Sequence, residues 1–274
     1  YRTRAFAAYG LGQIGYFLED EEKRQEIVES LWKICESPRM STRDIKVAAV
    51  IAMGLVPLPI GVEETPVGED AAEEEDEGPT APTTRQEQIE YLVQFFTADK
   101  DNDKHHYTRA HAPRAIAKLL DGIPHEERQT LLGEKVVPAL KPYVSKRGNV
   151  GERELRQSAS LAFGMIGDLD DDPWDKQIRT ALLDACGNSD QQVKNFSVMA
   201  LGQIGGRPGT GDNTDGEKQI RKYLQTTLVK GKSTLRGWVA LSMGVMERGL
   251  LNNDLEQSQD TLRALRSTLE GSRT

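Results

Sequence analysis

Two cysteines in 274 residues, and no apolar run approaching the roughly 20 residues of a membrane-spanning helix, remove two structural solutions at the outset. Cys35 and Cys186 sit inside LWKICE and LLDACG, apolar helical stretches, so buried free thiols are expected rather than a disulfide framework. The amino end shows no secretory-signal pattern. HExxH, GxSxG and a Cys–His context are all missing, which leaves metalloprotease and nucleophilic hydrolase chemistry without residues. A net positive balance is missing too. The net charge is −8, and nine acidic residues between Gly61 and Pro82, where no Lys or Arg occurs, account for it. The remainder is close to neutral, unlike a strongly basic nucleic-acid binder.

What the chain does contain is one phrase written six times: RAFAAYGLGQIG, KVAAVIAMGLV, RAHAPRAIAKLL, RQSASLAFGMIG, KNFSVMALGQIG and RGWVALSMGVM. Its anchors are Gly12, Gly54, Ala117, Gly164, Gly202 and Gly244, separated by 42, 63, 47, 38 and 42 residues. A period near 40 with one long interval is the signature of stacked two-helix repeats. Eight residues before each anchor stands a basic residue: Arg4, Lys46, Arg109, Arg156, Lys194 and Arg236. Five before come Ala7, Ala49, Ala112, Ala159, Ser197 and Val239, and two before come Gly10, Ala52, Ala115, Ala162, Ala200 and Ser242. Large apolar residues precede each anchor directly, and Ile14, Val56, Leu119, Ile166, Ile204 and Met246 follow two positions later. At about 100° per residue these four columns share one side of a helix, and their small residues permit close helix approach.

The phrase resembles the second helix of HEAT-like repeats, in the variety similar to bacterial phycobilin-lyase repeats (V-R-x-x-A-A-x-A-L-G-x-I-G). Val193-Lys194 with ALGQIG and Leu155-Arg156 with AFGMIG match it best. The resemblance spans nearly the whole chain. It implies an all-α fold: a right-handed α-solenoid of about six two-helix repeats over residues 1–274, interrupted by an acidic, Pro-containing flexible insert at 58–84. The family often has an Asp just before this helix. Asp190 and Glu152 fit, whereas Thr42, His105 and Lys232 do not, so no continuous Asp–Arg ladder is implied. The basic column is read as structural, bonding carbonyls or carboxylates of adjacent repeats.

Partner helices are expected in EEKRQEIVESLWKICE, RQEQIEYLVQFF, EERQTLLGEKVVPALKPYV, PWDKQIRTALLDACG, EKQIRKYLQTTLV and DLEQSQDTLRALRSTLE, with Pro173, Asp190 and Ser41 as entry signals. GGRPGTGDNTDG reads as an irregular turn. The sequence opens within a second helix and closes with a first helix, the pattern expected of a segment of a longer array.

The remaining chemistry-bearing candidates are weak. His105, His106, His111 and His125 lack the i, i+4 spacing of paired helical ligands, and His125-Glu126 is the one His-Glu pair, where HEAT-like iron hydroxylases carry several. GGRPGTG lacks a GK[ST] ending, and GKST at 231–234 follows Thr226 where a phosphate loop needs Gly. No metal or cofactor is expected, and no catalytic residue is assigned.

The second helices keep a sector outside the core columns, at ten, six and three residues before each anchor and one after it. It contains Phe6, Tyr9, Arg114, Lys118, Phe196, Met199, Trp238 and Leu241, and the resemblance places it on the concave side. Contiguous apolar surface with Trp, Tyr and Arg is the chemistry of a partner-binding groove. The expected function is a non-catalytic protein-interaction scaffold, binding a partner segment there, without nucleic acid or membrane insertion. The alternative is a HEAT-like enzyme or chaperone-like factor acting on a cofactor-bearing protein or nucleic acid. The acidic segment, folding over Arg114 and Lys118, is a candidate competitor for an acidic partner.

Overall fold

The computed structural model describes residues 2–37, 42–61, 80–98, 105–146 and 151–271, and all regular structure among them is helical. They form two compact units, Tyr1–Leu131 and Leu132–Thr274.

The first unit contains α1 (Arg2–Phe17), α2 (Glu21–Glu36), α3 (Arg43–Met53), α4 (Arg85–Thr97), α5 (His106–Arg109), α6 (Ala112–Leu119) and α7 (His125–Leu131). Helix α3 packs on α1 and α6, while α2 packs on α3 and α4 on α6. Phrase-bearing helices therefore make one layer and their partners another. The small-residue columns explain the stacking. A Cβ on Gly12 would lie 2.8 Å from both Cα and Cβ of Ala52, and one on Gly54 would lie 2.5 Å from the same atoms of Ala115. Each anchor glycine thus admits the backbone of the next phrase helix at its second small column. Helix α1 has packing neighbours in α2 and α3 but an open opposite flank. Ala7 and Ile14, expected in the core, are consequently exposed, Ile14 by 57%.

Capping follows sequence chemistry. The Asp20 carboxylate accepts from Lys23 N at the start of α2, and Thr84 and Glu87 form a capping box on α4. RAHAPRAIAKLL was expected as one helix but divides into α5 and α6. Pro113 has no N–H, and its ring clashes with the carbonyl four residues back, at Arg109. The helix expected at 126–144 is likewise divided into α7, a π-helical turn Leu132–Val136, a short helix α8 (Val137–Leu140) and a 3₁₀ turn Lys141–Tyr143. Pro138 and Pro142 each remove a donor there.

The ends of the 58–84 stretch are fixed. Gln88, fully buried, donates Nε2 to the Met53 and Val56 carbonyls at 2.9 Å each and accepts from Leu58 N at 3.3 Å. Gly61 N donates to Gln86 Oε1 at 2.9 Å, and Gln25 Nε2 donates to the Pro82 carbonyl at 3.0 Å. Residues 62–79, with the acidic run, lie outside the described residues, as does Ser41.

The second unit adds α9 (Arg153–Ile166), α10 (Pro173–Ala185), α11 (Gln191–Gly205), α12 (Thr214–Lys230), α13 (Ser233–Asn252) and α14 (Gln259–Leu269). Helix α11 packs on α9 and α13, with α10 and α12 against the same layer. A Cβ on Gly164 would sit 2.6 Å from Ala200 Cα, and one on Gly202 would overlap the Ser242 hydroxyl and carbonyl. The Ser242 hydroxyl donates to the Val198 carbonyl at 2.6 Å, tying α13 to α11. Helix α14 starts later than expected, at the Ser258 N-cap.

Candidate functional site

From α3 onward the four core columns are buried at every repeat. The eight residues assigned to the open sector behave differently: none is buried. In the first unit Phe6 is 71% exposed, Arg114 and Lys118 are exposed, and Tyr9 is half-buried. In the second unit Leu241 is 55% exposed, while Phe196, Met199 and Trp238 are half-buried. Trp238 Nε1 lies 3.1 Å from the Asn195 side-chain amide, so α11 helps orient the indole carried by α13. Two other positions of the sector, Ala48 and Ser158, are buried and contribute no open surface.

The basic column has specific work in two repeats. Buried Arg109 donates Nε and Nη2 to the Phe96 carbonyl at 2.9 and 2.7 Å, satisfying a terminal acceptor of α4. Arg236 Nε donates to the Leu228 carbonyl in the last turns of α12 at 2.6 Å. Lys46 is buried, Arg156 and Lys194 are half-buried, and Arg4 is exposed.

In the first unit the open sector is indented. A cleft of about 690 Å³ is lined by Gln13 and Tyr16 of α1, Leu55 and Pro57 beyond α3, Arg85 of α4, and Lys118 of α6, with Phe17, Leu119 and Asp121 completing it. Gln13, Leu55 and Lys118 occupy the same column of three successive phrases. A second pocket of about 130 Å³ lies beside it, between Ile51, His111, Arg114, Ala115 and Lys118. Tyr16 and Phe17 follow Gln13 by three and four residues and so share its face, a signal available from spacing. Arg85 comes from a partner helix, and the repeated phrase holds no sign of it.

Basic side chains outnumber acidic ones in the lining of the indentation. Arg85 Nε donates to the Leu58 carbonyl at 3.0 Å, and burial, followed by the nearby Arg24 charge, lowers its proton affinity. Burial and then Arg114 hold His111 below its ordinary value. Among the described residues, neither Arg114 nor Lys118 has an ion pair or side-chain hydrogen bond.

A polar knot in the second unit was not anticipated. Asp168, Asp170 and Asp175 are buried and place carboxylate oxygens within 4.8 Å of one another, a donor set suited to a hard divalent cation. Internal groups already engage them. Asp170 accepts from Asp172 N and Thr210 N, both at 3.1 Å, and Asp175 accepts from Asp168 N at 3.0 Å. Buried Arg179 donates Nη1 to the Asp168 and Asp170 carbonyls at 2.8 and 2.6 Å. The GGRPGTG loop therefore turns backbone amides toward an internal carboxylate. The alternating acids of DLDDD at 168–172 were the available sequence signal. Among the described residues no histidine joins a metal-capable group: His105 stacks on His106 and on Tyr107, and Arg43 lies over the Tyr107 ring. Cys35 and Cys186 are buried and free, and burial pushes the Cys186 thiol up to about 12.

No family model matches the sequence, and no curated protein matches it. Among solved structures the chain is similar to the crystal structure of an engineered protein, with a TM-score of 0.44, 19% identity, and coverage of 90% of this chain and 92% of that one. That likeness is too distant to carry an argument about function.

Proposed function

We propose that the chain is a HEAT-like α-solenoid of about six repeats that serves as a non-catalytic protein-interaction scaffold, receiving a partner segment on the open sector of its phrase-bearing helices. The observation that carries this reading is the contrast between adjacent columns. Apolar and aromatic residues remain accessible at Phe196, Trp238 and Leu241, while core columns one or two residues away are closed. Accessible contiguous apolar surface is characteristic of interaction sites, and a partly buried Trp held by a neighbouring helix is a preorganised anchor.

The test is affinity capture with the full chain, comparing wild type with Phe196→Ala/Trp238→Ala and identifying proteins by mass spectrometry. The reading expects specific partners lost from the double variant while its cooperative thermal melt is retained. Unchanged capture, or loss of the cooperative melt, would refute the assignment of these side chains to a binding surface.

A further inference from the structure

Resting on that reading, we infer that the indented face of the first unit recognises an acidic amphipathic helix of another protein, with apolar side chains along one flank and carboxylates one turn apart on the other. The geometry behind this is an apolar edge beside a cationic one. Ile51, on the open side of α3, and Leu55, in the turn just beyond its C-cap Gly54, are both half-buried. Arg114 and Lys118 are four residues apart and exposed on α6, which packs against α3. Residues spaced by four stand about 5–6 Å apart along a helix face, so the cationic pair on α6 matches the repeat of a helical ligand laid along it, with Ile51 and Leu55 as the apolar edge beside it. The pocket bounded by Ile51, Arg114 and Lys118 joins the two edges, and the larger cleft continues past Leu55 to Tyr16.

Charge fixes the complement. Like charges four residues apart on a helix are mildly destabilising, and here no described side chain neutralises either. An incoming carboxylate at each position removes that repulsion and supplies two charge-assisted contacts. Phosphate tracking fits less well. Asp121 shares the cleft with Lys118, and a nucleic-acid backbone requires a longer run of cations for its affinity. A purely apolar helix would leave both cations at the rim without partners. The acidic amphipathic helix satisfies both edges together.

Fluorescence anisotropy on the full chain tests this with four labelled probes. They are a peptide about a dozen residues long with Glu at i, i+4 beside a Leu/Phe face, its scrambled isomer, its Glu→Lys counterpart, and a single-stranded oligonucleotide. The first probe is expected to bind about tenfold or more tighter than the others and to weaken with added salt. Arg114→Glu/Lys118→Glu should weaken it by about tenfold or more, and Leu55→Asp should also weaken it. Lys222→Glu, an exposed reversal on α12, should leave it unchanged. Thermal melts of all variants establish that they are folded. The inference is overturned if the scrambled peptide, Lys peptide or oligonucleotide binds as tightly as the first probe. It is overturned equally if Arg114→Glu/Lys118→Glu has no effect. Should the peptide fail while Phe196→Ala/Trp238→Ala still loses captured partners, the ligand chemistry is wrong and the scaffold reading stands. If neither set of variants changes any binding, both fall.

Discussion

Replacing Gly164 and Gly244 by Ala, each singly, tests the stacking rule because the same motif position should respond with opposite sign. A Cβ on Gly164 would meet Ala200 Cα at 2.6 Å, Ala200 Cβ at 2.7 Å and Gln203 Oε1 at 2.5 Å. Ordinary carbon contacts lie near 3.5–4.0 Å, so α9 and α11 must separate by roughly 1 Å. Ala200 is backbone in the middle of α11 and has no rotamer to yield. Overpacking costs about 1–3 kcal/mol, and about 2–3 kcal/mol is expected where backbone must yield; against about 1 kcal/mol gained from helix propensity, this leaves a net loss of about 1–2 kcal/mol. A Cβ on Gly244 would meet nothing within 4 Å. Only the propensity gain operates there, so Gly244→Ala should stabilise by about 0.5–1 kcal/mol. Urea unfolding followed by circular dichroism would give both midpoints, with an unchanged slope indicating that the denatured state is unaffected. Gly164→Ala as stable as wild type, or Gly244→Ala less stable, would refute the account of the repeated glycine as a backbone-approach site.

Two further outcomes follow from polar groups. Asp170→Ala strips the acceptor from Thr210 N and Asp172 N at a site only 1% exposed, so a loss of about 2–4 kcal/mol in urea unfolding is expected, with Asp170→Asn milder because one acceptor oxygen remains. His111 is held below its ordinary value of 6.5 by burial and then by Arg114, so the unfolded chain takes up its proton first. That stabilising contribution is complete above the ordinary value and is lost as pH falls toward the folded-state value. Urea midpoints of wild type should therefore drop between about pH 7.5 and pH 5.5 by more than those of His111→Gln, and identical drops would remove His111 as the cause.

The stacking layer was legible because it depends on small residues recurring at fixed positions. A glycine with Ala or Ser two residues earlier is a local pattern, and its physical cause is contact with the next copy of the same pattern. Breaks in the helices were less legible. Pro113 and Pro138 stood in plain view, yet apolar periodicity on both sides suggested continuity. The proline ring overrides periodicity because the lost hydrogen bond and the clash are local and unavoidable. The exposure of Ile14 depends on which flank of α1 has a neighbour, a property of helix packing that column chemistry cannot encode. Lys118 and Arg114 emerged as candidates from their column, whereas Arg85 did not, because the cleft draws it from a helix with no repeated phrase. The aspartate knot escaped for another reason. Its acids lie in a loop between repeats, where helical periodicity carries no information, and only their alternate spacing marked them.

A phrase helix in this architecture has three claimed sides. In α11, α9 and α13 take two flanks and α10 and α12 lie against the layer from the partner side. What remains is a narrow sector that no helix of the same layer can cover. Stability places little demand on that sector, so its composition is free to differ between units: cations beside Ile51 and Leu55 in one, and Phe196, Met199, Trp238 and Leu241 in the other. The glycine column has the opposite constraint, since every substitution there moves a backbone. Binding and folding should consequently separate by column. Gly164→Ala should lower the urea midpoint while leaving the acidic peptide's affinity for the first unit unchanged. Arg114→Glu/Lys118→Glu should reduce that affinity with the midpoint held or slightly raised, because an i, i+4 pair of reversed sign is no more repulsive than the original.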